Sequence, residues 1–279
     1  MSQKSYDGTP NLYLVPTPIG NLEDITFRAI NVLKKVQVVF SEDTRVTNKL
    51  LNNFDIKKKL ISTHKYNEEK SAENMLEYLK QGYDIALVSD RGTPLISDPG
   101  SKCVNIVLNK GYNVVSIPGA TAFIPAITMS GLNADRFLFY GFLDSKEQKR
   151  KKELQNLVNI PYTIIFYEAP HRIIKTLENI KLIFGNRKIG VAREISKLYE
   201  EIYRGTIEII SREIISPKGE YVIIIEGNEK NNFFENISII EHVNLYIKEG
   251  KSKNESFKLV AKDRKISKSE IYNKYVNNN

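Results

Sequence analysis

The sequence predicts an α/β fold with two domains and a short helical tail. The 279 residues are enough for two domains that each bury a core, and β-branched runs alternate with helical periods. Turn residues then interrupt this alternation at positions 131–135. We expect a flexible N-terminal tail, a first domain, a second domain and a basic tail at residues 1–10, 11–132, 133–230 and 231–279.

The first domain is predicted to hold a mostly parallel sheet with helices on both faces, because strand and helix candidates alternate along it. Residues 71–81 and Ser101–Asn109 each carry an apolar stripe at helical spacing and precede a glycine, Gly82 or Gly111. Leu108 is expected on the apolar face of the second helix. The strand candidates are residues 12–15, 36–40, 60–62, 85–88 and 114–117.

The second domain is predicted to begin a new set of strands, after which the chain loses its β-branched runs. The tail after Gly227 has the composition of short helices rich in Lys, Asn and Glu, and Ser267 with Glu270 fits a capping box. The strand candidates of the second domain are residues 137–141, 163–167, 189–193 and 221–226.

Composition predicts a soluble cytoplasmic protein without a structural metal. The apolar fraction is 41%, and the sequence has no apolar run near the roughly 20 residues of a membrane span and no secretory signal pattern. One cysteine and three histidines supply neither a disulfide nor a Cys/His zinc spacing, and Cys103 is interpreted as a small buried hydrophobe. The net charge of +8 permits a polyanionic partner, although AT-rich coding also produces such an excess of lysine.

Ligands of parallel α/β sheets bind beyond the carboxyl ends of the strands, so the loops that follow the predicted strands are the candidate sites. Residues 16–21 (PTPIGN) follow the first strand, and Gly20 is expected to let a ligand approach the backbone. Residues 89–100 (SDRGTPLISDPG) follow the fourth strand and are too many for a plain turn. In this loop Asp90 or Thr93 could bind polar groups, while Gly92 exposes amides.

Two further strand ends carry distinctive residues. Residues 118–122 (PGATA) combine a turn with small side chains that leave room for a flat ring, although Thr121 fits an ordinary helix cap equally well. In the second domain Glu168, His171 and Arg172 lie within five residues, which is typical of acid–base chemistry. The alternative is that Glu168 and Arg172 pair across a helical turn while His171 faces solvent. Lys197 follows the next strand with the same ambiguity.

Taken in order, these segments resemble the ribosomal RNA small-subunit methyltransferase I family of the tetrapyrrole-methylase-like fold. The likeness runs from about Leu12 to Gly227 and is carried by LVPTPIGNLEDITFRA, SEDTR, LVSDRGTPLISDPG, IPGATA, FYGFL, IFYEAPHRI, AREISK and KGEYVIIIEG. It implies S-adenosylmethionine as methyl donor, bound between a mostly parallel and a mixed-sheet domain. It also implies a homodimer, 16S ribosomal RNA or the small ribosomal subunit as partner, and 2′-O-methylation of a decoding-site cytidine.

The resemblance also implies site residues. The cofactor-binding set carried over from the family is Pro18, Gly20, Asp90, Gly92, Thr93, Ile96, Thr121, Ala122 and Tyr167. The catalytic candidates, ranked only by their placement after strands of the second domain, are His171, Glu168 and Lys197.

Three residues depart from the family pattern: Arg91 replaces the usual Ala, Ala169 a common Ser and Asp144 a frequent Pro. Because an inward Arg91 would crowd the cofactor loop, we expect its side chain to point outward, toward RNA phosphate. If Arg91→Ala weakened cofactor binding and left RNA binding unchanged, this expectation would be wrong.

Two rival functions are open at this point. A methyltransferase of the same fold that acts on a tetrapyrrole precursor would be expected to carry G-x-G-P-G-D in its first loop, where this chain has residues 16–21. A non-catalytic RNA-binding assembly factor would keep the fold without the chemistry.

In the tail, two short helices joined at residues 263–266 fit either a helix-turn-helix that holds RNA or a solvated basic surface. The lysines of the tail are Lys251, Lys253, Lys258, Lys262, Lys265 and Lys268.

Overall fold

The computed structural model of the chain describes residues 3–5, 7–213, 218–228, 237–264 and 266–276. Across these residues the strands form two five-stranded sheets, each with its own core. The strands are β1 (Asn11–Leu14), β2 (Val38–Ser41), β3 (Lys59–Ser62), β4 (Ile85–Val88), β5 (Asn113–Ser116), β6 (Phe137–Phe142), β7 (Thr163–Glu168), β8 (Lys188–Arg193), β9 (Glu201–Thr206) and β10 (Tyr221–Ile225). The helices are α1 (Phe27–Lys35), α2 (Thr44–Asn53), α3 (Glu68–Lys80), α4 (Ser101–Asn109), α5 (Phe123–Ser130), α6 (Glu147–Leu157), α7 (Ile173–Phe184), α8 (Ile207–Glu213), α9 (Ile239–Lys248), α10 (Lys253–Arg264) and α11 (Lys268–Val276).

The first sheet is parallel throughout, in the order β3-β2-β4-β1-β5. Successive side chains of a strand point to opposite faces, so Leu12 of β1 packs with α3 and α4 while Tyr13 packs with α1 and α2. Both faces are therefore covered, which explains why these strands are continuous apolar runs rather than alternating ones. The predicted parallel sheet is confirmed.

The second sheet is mixed, in the order β6-β7-β10-β8-β9. Only β6 and β7 pair in parallel, and the other neighbours are antiparallel. One face packs against α6, α7 and α8, and the other packs against α5 through Ala126 and Ile127. Because α5 precedes the boundary expected near residue 132 yet packs on the second sheet, it ties the two halves together; the boundary itself stays a prediction.

Most predicted elements are found within a few residues of their expected bounds, with three differences. Strand β9 was missed because its side chains are half-buried or exposed at the sheet edge, which leaves no apolar run to detect. Helix α3 begins three residues before the predicted start at Ser71. Leu108 of α4 is 42% exposed, so the buried face is formed by Cys103, Val104 and Val107 instead.

Cys103 is buried, as interpreted from the sequence. Its Sγ donates to the carbonyl of Glu68 at 3.0 Å, and burial raises the pKa of the thiol to about 12. The group is therefore a neutral thiol that joins α4 to α3.

The tail forms a small helical unit, α9 to α11, around a core that includes Val243, Phe257 and Ile271. The Glu270 amide donates to Ser267 Oγ at 3.2 Å before α11, which is one half of the predicted capping box. A complete capping box precedes α9, at Ser238 and Glu241. Lys265, in the predicted turn between α10 and α11, lies outside the described residues. No helix in the described ranges is long and apolar enough to cross a membrane.

The packing of α5 on the second sheet can be tested at Gly190 of β8. A Cβ there would lie 2.8 Å from Ser130 Cβ, whereas a Cβ at Gly205 of the neighbouring strand would meet nothing closer than 3.8 Å. We expect Gly190→Ala to lower the free energy of unfolding by about 1–3 kcal/mol through overpacking. Urea denaturation of Gly190→Ala and of the control Gly205→Ala measures the difference; equal stability of the two variants would contradict this packing.

Candidate functional site

A cavity of about 400 Å³ lies between the two sheets and is lined from both domains. The first domain contributes the loops after β4 and β5, and the second contributes the end of β7, the start of β10 and Ile195. Six predicted cofactor-binding residues are brought together on its walls: Gly92, Thr93, Ile96, Thr121, Ala122 and Tyr167. Its volume falls in the usual range for small-molecule sites, roughly 300–1,000 Å³.

The first-domain loops are bound to one another by backbone hydrogen bonds. Thr17 and Gly92 exchange N–H···O bonds of 2.9 and 3.0 Å, forming an isolated antiparallel bridge between the loops after β1 and β4. Thr93 Oγ1 donates to the carbonyl of Ala120 at 2.9 Å and so attaches the β4 loop to the β5 loop. The Thr93 hydroxyl therefore donates to another residue of the cavity wall, and the backbone groups of Thr93 are the ones available to a ligand.

Two glycines are required by this arrangement. Gly92 has a φ of +78°, a left-handed conformation that disfavours side chains. At Gly119 an added Cβ would lie 2.7 Å from Pro16 Cβ, so glycine allows the loops after β1 and β5 to touch.

The loop after β4 also carries Asp98, a cavity residue that the sequence reasoning did not select. Leu95 and Ser97 before it have φ values of 72° and 67°. Burial, followed by repulsion from Glu42 and Asp90, raises the pKa of Asp98 to about 7. The signal available in the sequence was its position in the long loop 89–100, where Asp90, Gly92, Thr93 and Ile96 were given ligand roles and Asp98 was not.

The second-domain wall of the cavity is aromatic at β6 and β7. The Tyr167 ring meets Phe139 and Phe142 edge to face, with centroids 4.9 and 5.6 Å apart. Burial raises the pKa of the Tyr167 phenol against the opposing effect of its hydrogen bond with Thr121. Tyr167 is therefore a neutral hydrogen-bonding group at neutral pH, and with Ile96 and Ala122 it offers a surface for a flat apolar ring.

The other three predicted cofactor residues, Pro18, Gly20 and Asp90, line an adjacent groove instead of the cavity. At Gly20 the structure shows protein atoms of the second domain close to the backbone. A Cβ at Gly20 would lie 2.4 Å from Lys197 Cγ and 3.2 Å from the carbonyl oxygen of Ile195, so the second domain occupies that space. Asp90 accepts a hydrogen bond from the Asp43 amide at 3.0 Å. Cofactor binding by these three residues stays a prediction.

Glu168 and His171, two catalytic candidates, have different surroundings. The Glu168 side chain is fully buried, and its carboxylate accepts from the Ala169 amide at 2.7 Å, Arg172 Nε at 2.7 Å and the Thr176 hydroxyl at 2.6 Å. This is the pairing across a helical turn that the sequence left open, and it suits a group that fixes the start of α7. His171 is exposed and is not among the residues that line the cavity.

The third candidate, Lys197, belongs to an ion-pair network between the domains. Its Nζ donates to Glu194 at 2.7 Å and to Glu220 at 2.9 Å. Burial alone would raise the pKa of Glu194, but hydrogen bonds from Lys197 and the Glu220 amide, together with the charges of Lys197 and Arg193, hold that pKa below its usual value. Arg91 also pairs with Glu220, and the Arg91 side chain is 55% exposed, which agrees with the predicted outward orientation. Contact of Arg91 with RNA stays a prediction.

The arrangement is suited to holding and aiming a mostly apolar ligand. The cavity offers backbone amides, Thr121 and Tyr167 as polar groups among apolar walls, and its lining includes three carboxylate residues, Asp98, Glu168 and Glu220. The residues that the structure describes include no group of three or more His, Cys, Asp or Glu side chains placed to hold a metal ion.

Comparison with known proteins identifies relatives over nearly the whole chain. Residues 11–210 match the family described as tetrapyrrole (corrin/porphyrin) methylases. The ribosomal RNA small subunit methyltransferase I of Bacillus subtilis is 45% identical over 98% of this chain and 97% of its own length. The protein of the same name from Halalkalibacterium halodurans is also 45% identical, over 98% of each chain.

Solved structures with the same fold include two tetrapyrrole-modifying enzymes. The uroporphyrin-III C-methyltransferase of Thermus thermophilus, in complex with S-adenosylhomocysteine, covers 79% of this chain and 98% of its own, with a TM-score of 0.55 and 20% identity. A cobalt precorrin-4 methyltransferase covers 77% of this chain and 94% of its own, with a TM-score of 0.58 and 17% identity. At these identities the structures support the fold.

The contacts of Glu168 and His171 predict a large loss of stability on substitution of the first residue and almost none on substitution of the second. Glu168→Gln leaves Arg172 without its buried carboxylate, and we expect a loss of roughly 2–5 kcal/mol in the free energy of unfolding. His171→Ala, at an exposed position, should change it by less than about 0.5 kcal/mol. Thermal and urea denaturation of both variants test the assignment, and a Glu168→Gln protein as stable as the parent would show that the ion pair contributes nothing.

Proposed function

The chain belongs to the tetrapyrrole methylase family and, within it, to the ribosomal RNA small subunit methyltransferases I, and from this premise we propose that it methylates 16S ribosomal RNA. The methyl donor is S-adenosylmethionine, and the acceptor is the ribose 2′-hydroxyl of a decoding-site cytidine, cytidine 1402. The observation that carries the proposal is the 45% identity to two such methyltransferases over 98% of this chain.

The cavity between the domains fits the donor. When bound, S-adenosylmethionine supplies the methyl group and leaves as a neutral thioether. Small residues and aliphatic side chains at Ala122 and Ile96 suit its adenine ring, while Tyr167 and Thr121 supply polar contacts. The left-handed Gly92 brings backbone groups to the cavity wall, where a Cβ would interfere.

Positioning is expected to supply most of the rate enhancement by the protein. Alignment of two reactants can contribute roughly 7–11 kcal/mol, whereas a general base adds about 10²–10⁴-fold in rate. Among the three catalytic candidates, Lys197 carries a cation at the groove that adjoins the cavity, where it could stabilise a developing alkoxide. Glu168 is committed to α7, and His171 is exposed and outside the cavity lining. We therefore rank Lys197 first.

We further propose that the tail contacts RNA and that the chain acts as a cytoplasmic homodimer. Helices α10 and α11 carry exposed lysines, including Lys258 and Lys262 one turn apart on α10. The homodimer is what the family resemblance implies, and the exposed apolar side chains of Phe27 and Leu198, each 88% exposed, are candidates for its interface. A ribosomal RNA substrate supports the cytoplasm as location.

The reaction can be tested directly on undermodified small ribosomal subunits. We expect label from methyl-labelled S-adenosylmethionine to enter one cytidine and to produce one alkali-resistant linkage, since a 2′-O-methyl group blocks cleavage at its own phosphate. In single-turnover assays, Lys197→Ala should lower the rate by about 10²–10³-fold, because it removes a cation that stabilises the developing alkoxide. His171→Ala serves as the comparison. Label on a tetrapyrrole precursor but not on RNA would support the small-molecule rival, and donor binding without any transfer would support the assembly factor.

The role of the tail can be tested by its salt dependence. Replacing Lys251, Lys258 and Lys262 with Gln should reduce the slope of log affinity for RNA against log salt by roughly 2, since each lost phosphate contact removes about 0.7–0.9. The matched control replaces three exposed first-domain lysines, Lys57, Lys80 and Lys110, with Gln. Equal slopes for the two triple variants would mean that the tail lysines are a solvated surface only.

A further inference from the structure

Asp98 is one of three carboxylate residues in the described cavity lining, with Glu168 and Glu220. It lies in the loop after β4, on the same wall as Thr93 and Ile96. Among the described residues the structure gives its side chain no hydrogen-bond donor and no ion-pair partner. Glu220, another carboxylate of the lining, is paired with Arg91 and Lys197.

The charged groups near Asp98 make the ionised form of its carboxylate less stable. Glu42, directly after β2, and Asp90, in the loop two residues after β4, both repel its negative charge. Tyr167 faces it from the second domain as a neutral phenol. Arg91 lines the same cavity, but its guanidinium is bound to Glu220 at the exposed rim.

A partly buried carboxylate in such surroundings has two ways to lower its free energy. It can take up a proton, which is why its pKa rises to about 7, or it can bind a cation. Near neutral pH the two states are close in free energy, so a cation that enters the cavity competes directly with the proton. The cavity is lined mostly by apolar side chains, which suits an organic cation.

The methyl donor and its product differ by one positive charge at sulfur. The donor is a sulfonium, and the product that remains after transfer is a neutral thioether. We propose that the Asp98 carboxylate is the counter-charge of the donor sulfonium and makes the cavity prefer the methyl donor over the demethylated product. This proposal rests on the proposed function, because it takes S-adenosylmethionine as the ligand.

The proposal has a specific kinetic consequence. Positive charge leaves the sulfur as the methyl group moves, so an anion near the sulfur stabilises the bound donor more than the transition state. Asp98 is therefore a specificity residue that lowers the Kd of the donor and favours product exchange. Its loss should raise KM for the donor without lowering kcat.

Titration calorimetry with the full chain and no RNA tests the proposal. For Asp98→Asn we expect the Kd of S-adenosylmethionine to rise by about tenfold, the effect of one pKa unit of differential interaction, and the Kd of S-adenosylhomocysteine to change by less than about twofold. Asp135→Asn, an exposed carboxylate outside this cavity, is the matched control and should alter neither Kd.

The pH dependence supplies a second readout. Donor binding favours the ionised carboxylate, so donor affinity should rise with pH up to a plateau above about 7, and binding near pH 7 should release a proton. Proton release is obtained by repeating the titration in buffers of different ionisation enthalpy. In Asp98→Asn this release should vanish. Glu42→Gln, which removes a neighbouring repulsion, should shift the rise to lower pH, and it keeps the test available if Asp98→Asn does not fold.

The outcomes separate this proposal from the proposed function. If the parent protein binds both ligands, and Asp98→Asn weakens both equally or neither, the counter-charge role is wrong while the methyltransferase function stands. If the parent chain binds neither ligand, both proposals fail. A donor-specific loss together with the loss of proton release supports the role of Asp98.

Discussion

The two backbone hydrogen bonds between Thr17 and Gly92 are the contact on which the site depends most. A parallel sheet brings the carboxyl ends of β1 and β4 to one edge, but it leaves the loops beyond them undetermined. The Thr17–Gly92 bridge fixes these loops against each other, and the Thr93 hydroxyl extends the connection to the loop after β5. Three separate connections thereby become one wall of the cavity, and the positive φ of Gly92 is the backbone conformation that the bridge requires.

The opposite wall depends on how closely the second domain can approach. Gly20 has no side chain to hold off Ile195 and Lys197, and Glu220 receives both Arg91 from the first domain and Lys197 from the second. These ion pairs are partly exposed, so each contributes little to stability, about 0–1 kcal/mol. Their effect is on geometry: they hold the loop after β8 over the first domain. The groove and the cavity share Ile19 and Arg91, so the domain contact shapes both.

The sequence predicted the features that follow from periodicity and missed those that follow from tertiary contacts. Buried parallel strands such as β4 are apolar runs in any context, whereas the edge strand β9 has no such run. Six of the predicted cofactor residues line one cavity because they follow strand ends, which the sequence pattern predicts; that they bind the cofactor stays a prediction. The sequence could not predict what lies next to Gly20. A glycine indicates a close approach to the backbone, but it does not show whether a ligand or another loop approaches. Asp98 was missed because its distinction is the absence of a partner, which only three dimensions reveal.

Arg91, which departs from the family pattern, is held at the rim of the cavity by an ion pair. Its long side chain reaches the rim and pairs with Glu220, so it adds a cation beside the cavity without filling it. Asp90 in the same loop and Glu42 directly after β2 place negative charge near Asp98. If Arg91 formed an ion pair with Asp98 instead, it would neutralise the carboxylate, and no negative charge would remain to attract a cationic ligand. Because Glu220 holds the Arg91 guanidinium at the rim, the Asp98 carboxylate in the cavity has no cationic side chain among the described residues paired with it. The charge of the site therefore depends on whether a proton or a cationic ligand binds there.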